Sequence, residues 1–62
     1  SKLNIHLNNS FSLKKVEIYA ITGKKVRVSV ENIIDFSNLS KGIYLIKIFT
    51  NKGVAFKKIL KK

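Results

Sequence analysis

Residues 38–49, NLSKGIYLIKIF, decide how this chain folds. Asn38 to Gly42 has the chemistry of a compact turn, in which Leu39 tucks under and Gly42 takes a backbone shape that other residues resist. Ile43 to Phe49 is then β-branched and aromatic, as strands favour. Strand side chains alternate between two faces. On that alternation Tyr44, Ile46 and Ile48 share the buried face, and Ile43, Leu45, Lys47 and Phe49 share the other. A strand this apolar on both sides is expected at the centre of a sheet covered twice. Lys47 is the exception, and its mixed face is where a docked partner or a further strand belongs. The run is far shorter than the roughly 18 residues a membrane span requires.

The same period of two extends outward in both directions. Upstream, KLNIHLN places Leu3, Ile5 and Leu7 on one face, and Lys2, Asn4 and His6 on the other. NNS (8–10) reads as a turn. KKVEIYAI (14–21) sets Val16, Ile18 and Ala20 inward against Glu17, Tyr19 and Ile21. TGKK follows, with Gly23 suited to the positive φ of a tight hairpin. VRVSV (26–30) continues with Val26, Val28 and Val30 inward. Ile34 and Phe36 form a short strand or edge piece. Downstream, NKG (51–53) is a second hairpin turn. VAFKKILKK closes the chain as a last strand, with Val54, Phe56, Ile59 and Leu60 among lysines. Six short strands with turns between them and no helix predict a small β-sandwich or barrel. The lysines of the last strand also guard an edge against unwanted pairing.

A chain of 62 residues is one small domain. It buries only about 60% of its unfolded surface, so its stability is expected to be marginal. With no cysteine there is no disulfide, and one histidine cannot complete a zinc knuckle. A hydrophobic fraction of 45% supports a packed core. Thirteen basic residues against three acidic ones give a net charge of +10. Such a charge admits nucleic acid, anionic lipid or an acidic protein face as partner. Twelve of the 13 cations are lysine, however, and only Arg27 offers the planar fork that specific phosphate and base contacts favour. The lysine bias fits solubility, or an AT-rich genome, better than a nucleic-acid partner. No segment is expected to span a membrane, and no signal peptide opens the chain.

No catalytic constellation is present. The acids are Glu17, Glu31 and Asp35, without the spacing of a carboxylate pair. His6 stands alone on a polar face. No serine lies in a nucleophile motif. Gly23, Gly42 and Gly53 are far apart and build no phosphate loop. The chain is therefore expected not to be an enzyme and to need no cofactor or metal. Its six aromatics, Phe11, Tyr19, Phe36, Tyr44, Phe49 and Phe56, are expected to fill a core that has no tryptophan or methionine. Two rival readings follow from the same residues. One is a small basic β-barrel binding single-stranded nucleic acid. The other is an immunoglobulin-like adhesion or carbohydrate-binding module, with an exposed platform of Tyr19, Tyr44 and Phe49.

Three motifs in order are more specific than any of these features. V-x-I-Y-x-x-T-G-K-x-V spans Val16 to Val26, I-D-x-S-x-L-x-x-G-I-Y spans Ile34 to Tyr44, and a short lysine-rich strand ends the chain. The arrangement from Val16 onward resembles the type A C-terminal sorting domain of the type IX secretion system of Bacteroidota. SKLNIHL is also similar to that family's early strand. Many members carry a Pro-Asn-Pro box just before it, which this proline-free chain lacks. An early strand and the upstream linker are therefore expected to lie outside residues 1–62, a single sorting domain.

The resemblance implies a signal and not an activity. It implies an all-β fold, a small immunoglobulin-like β-sandwich of six to seven short antiparallel strands. It implies a covalently fused upstream cargo that is exported, passing the periplasm to reach the outer-membrane surface or the medium. An outer-membrane β-barrel shuttle protein and the secretion translocon would handle it, and a surface sortase commonly removes the domain. Recognition is expected on the last two strands and their entering turns. Lys47, Lys58, Lys61 and Lys62 would face the receptor. Gly23, Gly42 and Gly53 would set backbone shape, while Asp35, Leu39 and Tyr44 would hold the turn.

Overall fold

The computed structural model describes residues 2–7 and 10–62. It contains six strands: β1 (Lys2–Asn4), β2 (Leu13–Ala20), β3 (Lys25–Ser29), β4 (Ile33–Asp35), β5 (Gly42–Thr50) and β6 (Gly53–Lys61). β3, β2, β5 and β6 lie side by side in one antiparallel sheet, and β1 pairs with β4 in a second. The two sheets are open, not a closed barrel, as a small β-sandwich requires. Of the expected NNS turn, Asn8 and Asn9 lie outside the described residues, as does Ser1.

The alternation along β5 is as its sequence dictates. Tyr44 and Ile46 are buried and Ile48 partly so. Ile46 stands opposite Ile18, and Ile48 opposite Val16. Val16, Ile18 and Ile46 have no solvent exposure at all. The small sheet lays Ile34 over this floor, with Ile5 and Phe36 beside it. Burying such side chains stabilises by roughly 1.5–3 kcal/mol each, which makes this cluster the chief favourable term in a chain without cross-links.

Four expectations need correction. First, β5 is central but covered on one face only, since Ile43 and Leu45 are exposed. The lid has two strands where the floor has four, and it covers only the inner face. Second, β1 ends at Asn4, and Leu7 is exposed. Pairing does continue for one bond, from the Ile5 N–H to the Asn32 carbonyl at 2.7 Å.

Third, Val28 and Val30 do not point inward. Ile18 pairs with Arg27 but Tyr19 pairs with Lys25, so Val26 is an extra residue in the ladder. One extra residue reverses the facing of everything after it. Val26 packs against the core, Val28 is 52% exposed, and Arg27 turns toward the lid. There its guanidinium donates to the Asp35 carbonyl at 2.7 Å. The hairpin loop before it is regular: Ile21–Gly23 is a three-residue loop closed by the Gly23 N–H on the Ala20 carbonyl at 2.9 Å, with Gly23 at φ +95°. Gly23 forms the bulge that belongs to such a loop, and glycine adopts that φ without strain; Val26 is a second irregularity beyond it.

Fourth, the aromatics are divided. Phe36 and Tyr44 are buried, Tyr19 and Phe49 are half-buried, and Phe11 and Phe56 are exposed.

Ile46→Ala should destabilise the domain by about 2–5 kcal/mol, because a cavity opens at the centre of the core. Val28→Thr should change stability by less than about 0.5 kcal/mol, as surface substitutions do. Denaturant unfolding of both variants checks the reversed facing of β3.

Candidate functional site

The site expected from sequence is the β5–β6 hairpin with the turn that enters it. The turn begins at Asp35. Its Oδ1 accepts from the Ser37 N–H at 2.9 Å and from the Ser37 hydroxyl, an arrangement typical of Asp at a chain reversal. These bonds, the hydroxyl first, hold the Asp35 carboxyl below the usual carboxylate range. The Leu39 N–H then donates to the Phe36 carbonyl at 3.0 Å, and the Leu39 side chain packs on the core. Tyr44 reaches back from β5, and its hydroxyl donates to the Ser40 carbonyl. A tyrosine hydroxyl anchored a few residues upstream recurs in immunoglobulin-like sandwiches. Gly42 marks the point where turn becomes strand.

Lys61 completes this turn. It lies opposite Gly42 across the β5–β6 ladder. Its ammonium donates to the carbonyls of Phe36, Ser37 at 3.1 Å and Leu39 at 2.8 Å. The lysine run alone places Lys61 among the partner-facing cations. Its three protein acceptors instead make it part of the scaffold. At the far end of the hairpin, Gly53 (φ +132°) closes the short turn after Asn51. Asn51 also ties that turn to the start of β2. It accepts from the Ser12 N–H at 2.7 Å, and its own N–H donates to the Ser12 carbonyl at 3.1 Å.

The remaining expected cations lie elsewhere. Lys62 follows the end of β6 and is exposed. Lys47 and Lys58 sit on the outer face of the large sheet, in adjacent rows of the register. One row runs Lys25, Tyr19, Leu45, Lys58 and the next Val28, Glu17, Lys47, Phe56. The four lysines therefore do not form one patch: one is built into the turn, two share the outer face, and one ends the chain.

Glu17 is the polar centre of the outer face, and it is only 6% exposed. The Tyr19 hydroxyl donates to its Oε1 at 2.8 Å, and Lys15 and Lys25 each place an ammonium 3.2 Å from Oε2. The Tyr19 bond first, and then the two lysines, outweigh desolvation and lower its carboxyl to a pKa of about 2. Sequence alternation predicts the outward direction of Glu17 but not its burial. The only signal for this cluster is the KKVEIY spacing, which puts Lys15, Glu17 and Tyr19 on one face.

Two tests follow from this geometry. Lys61→Met should cost about 1.5–3 kcal/mol, the range for bonds made by a charged donor, whereas Lys62→Met should be neutral. Chemical unfolding separates them. The acid side has a definite sign. A carboxyl lowered from 4.5 to about 2 stabilises the fold at neutral pH, and that contribution is lost as pH falls from about 4.5 toward 2. Asp35 adds in the same direction. Melting temperature should therefore hold steady from about pH 5 to neutral and fall below about pH 5, and Glu17→Gln should make the fall shallower.

The match to known proteins extends over the whole chain. The family model for the secretion system C-terminal sorting domain matches residues 1–62. Searches of curated proteins and of solved structures gave no match. The motifs quoted above now lie on the β2–β3 hairpin, the Asp35–Gly42 turn and the β5–β6 hairpin, each anchored as described. The chain belongs to the secretion system C-terminal sorting domain family, the signal that sends a fused cargo across the outer membrane by type IX secretion.

Proposed function

We propose that the domain acts as a folded address, read at the C-terminal end of the β5–β6 hairpin, with no catalysis of its own. The observation that carries this is the position of β6. Among the described residues it pairs with β5 alone, so its outer edge is open. Lys61 pins the end of that strand to the Asp35–Gly42 turn, which brings turn, open edge and the start of Lys62 side by side. A signal shared by many cargos needs such a rigid group of features that does not depend on what precedes it. The reader is an outer-membrane β-barrel shuttle protein working with the secretion translocon. The cargo crosses the periplasm, and a surface sortase removes the domain once the cargo reaches the outer-membrane surface or the medium.

Fusion of the domain and its upstream residues to a fluorescent cargo in a type IX host tests this reading. Removing Ile59–Lys62 should leave the cargo in the periplasm. That deletion also removes the Lys61 anchor, so Lys62→Glu serves as the variant that keeps the fold, and it should lower export several-fold. Equal export of the intact and trimmed fusions overturns the proposal.

A further inference from the structure

We propose that the outer face of the four-stranded sheet docks on an anionic lipid surface. This goes beyond the sorting reading, which uses the Lys61-pinned turn and Lys62. The face is amphipathic at close range. Phe56, Lys58 and Leu60 alternate along β6, and the two apolar members are 62% and 61% exposed. Ile43 pairs beside Leu60 and is also exposed. Apolar side chains at this spacing enter the boundary between headgroups and acyl chains, while an ammonium between them stays at the level of the phosphates.

Lys15, Lys25 and Lys47 already have partners on the face. The Lys15 ammonium lies 4.7 Å from the Phe49 ring centre, and that of Lys47 lies 5.2 Å from Tyr19 and 6.0 Å from Phe56. Among the described residues, both ion pairs end on Glu17, from Lys15 and Lys25. The face thus carries Lys15, Lys25, Lys47 and Lys58 against the single acid Glu17, which leaves it positively charged, on a chain of net charge +10.

Two features favour lipid over a protein or nucleic-acid partner. Every cation of the face is lysine, which is depleted in protein interfaces where arginine is enriched. Lysine is a point charge that suits a fluid array of phosphates without fixed geometry. The exposed apolar side chains of the face are also mostly aliphatic, which offers bases little to stack on.

Sedimentation of the chain with vesicles decides the matter. It should bind phosphatidylcholine vesicles containing roughly a third phosphatidylglycerol and ignore pure phosphatidylcholine, and binding should weaken as salt shortens the screening length. Lys47→Gln with Lys58→Gln should weaken binding roughly thirtyfold, taking a typical contribution for each lysine near an anionic surface. Phe56→Ser with Leu60→Ser should weaken it while leaving the salt dependence in place. These four side chains are not in the core, and circular dichroism verifies that each variant folds. Lys2→Gln with Lys57→Gln, of equal charge change but in the lid and on the inner face of β6, should bind as the parent does. An equal loss in that control means generic charge attraction and overturns the proposal. So does absence of binding at low salt. Soluble polyglutamate that binds as tightly, with the same response to Phe56→Ser, gives the face to an acidic polypeptide instead. A solution dimer abolished by Phe56→Ser gives it to a second copy.

Discussion

Ile18 and Ile46 meet across the β2–β5 ladder with no solvent exposure, and the rest of the molecule leans on that contact. The two strands are far apart in sequence, so their pairing must offset the entropy of closing a long loop. With no cysteine there is no disulfide to help. β3 and β6 join the sheet only as neighbours of these two strands, and the lid of β1 and β4 is held by the apolar floor they create. A domain of this size has no second core to fall back on.

One consequence is an uneven coat. A two-stranded lid is enough to bury the inner face, but it leaves the outer face to manage its own exposure. The middle of that face is satisfied by polar means, with Glu17 accepting from Tyr19, Lys15 and Lys25. Its margins remain apolar. A buried charge is tolerated there because its oxygens are fully engaged and its counterions keep their heads in water. Lys61 solves a different problem with the same chemistry. The Asp35–Gly42 turn presents carbonyls that no strand pairs, and a single ammonium with three donors satisfies three of them.

These devices give the sorting domain a fixed shape. The two hairpins and the pinned turn are set by contacts inside the domain. Residues that resemble the family's motif are mostly those that fix this geometry: Gly23 closes a loop, Asp35 starts the turn, and Tyr44 and Leu39 hold it down.

Much of this was legible from the chain alone. Period-two alternation named β2 and β5, their inward residues and the all-β class, because side-chain facing in a strand is a local property. Turn glycines and the polar stretch before Gly42 placed the reversals for the same reason. The facing of β3 was not legible, since a single extra residue at Val26 inverts it and the inversion shows only in pairing. Nor was the role of Lys61 legible. In a run of lysines nothing local distinguishes the one whose ammonium meets carbonyls more than twenty residues away. The exposed flank of β5 was likewise invisible, because a strand apolar on both faces does not say how many layers cover it. Sequence determined which segments are strands and where they turn; only the tertiary structure decided which face is covered and which cation is built into the scaffold, because those outcomes depend on distant segments meeting.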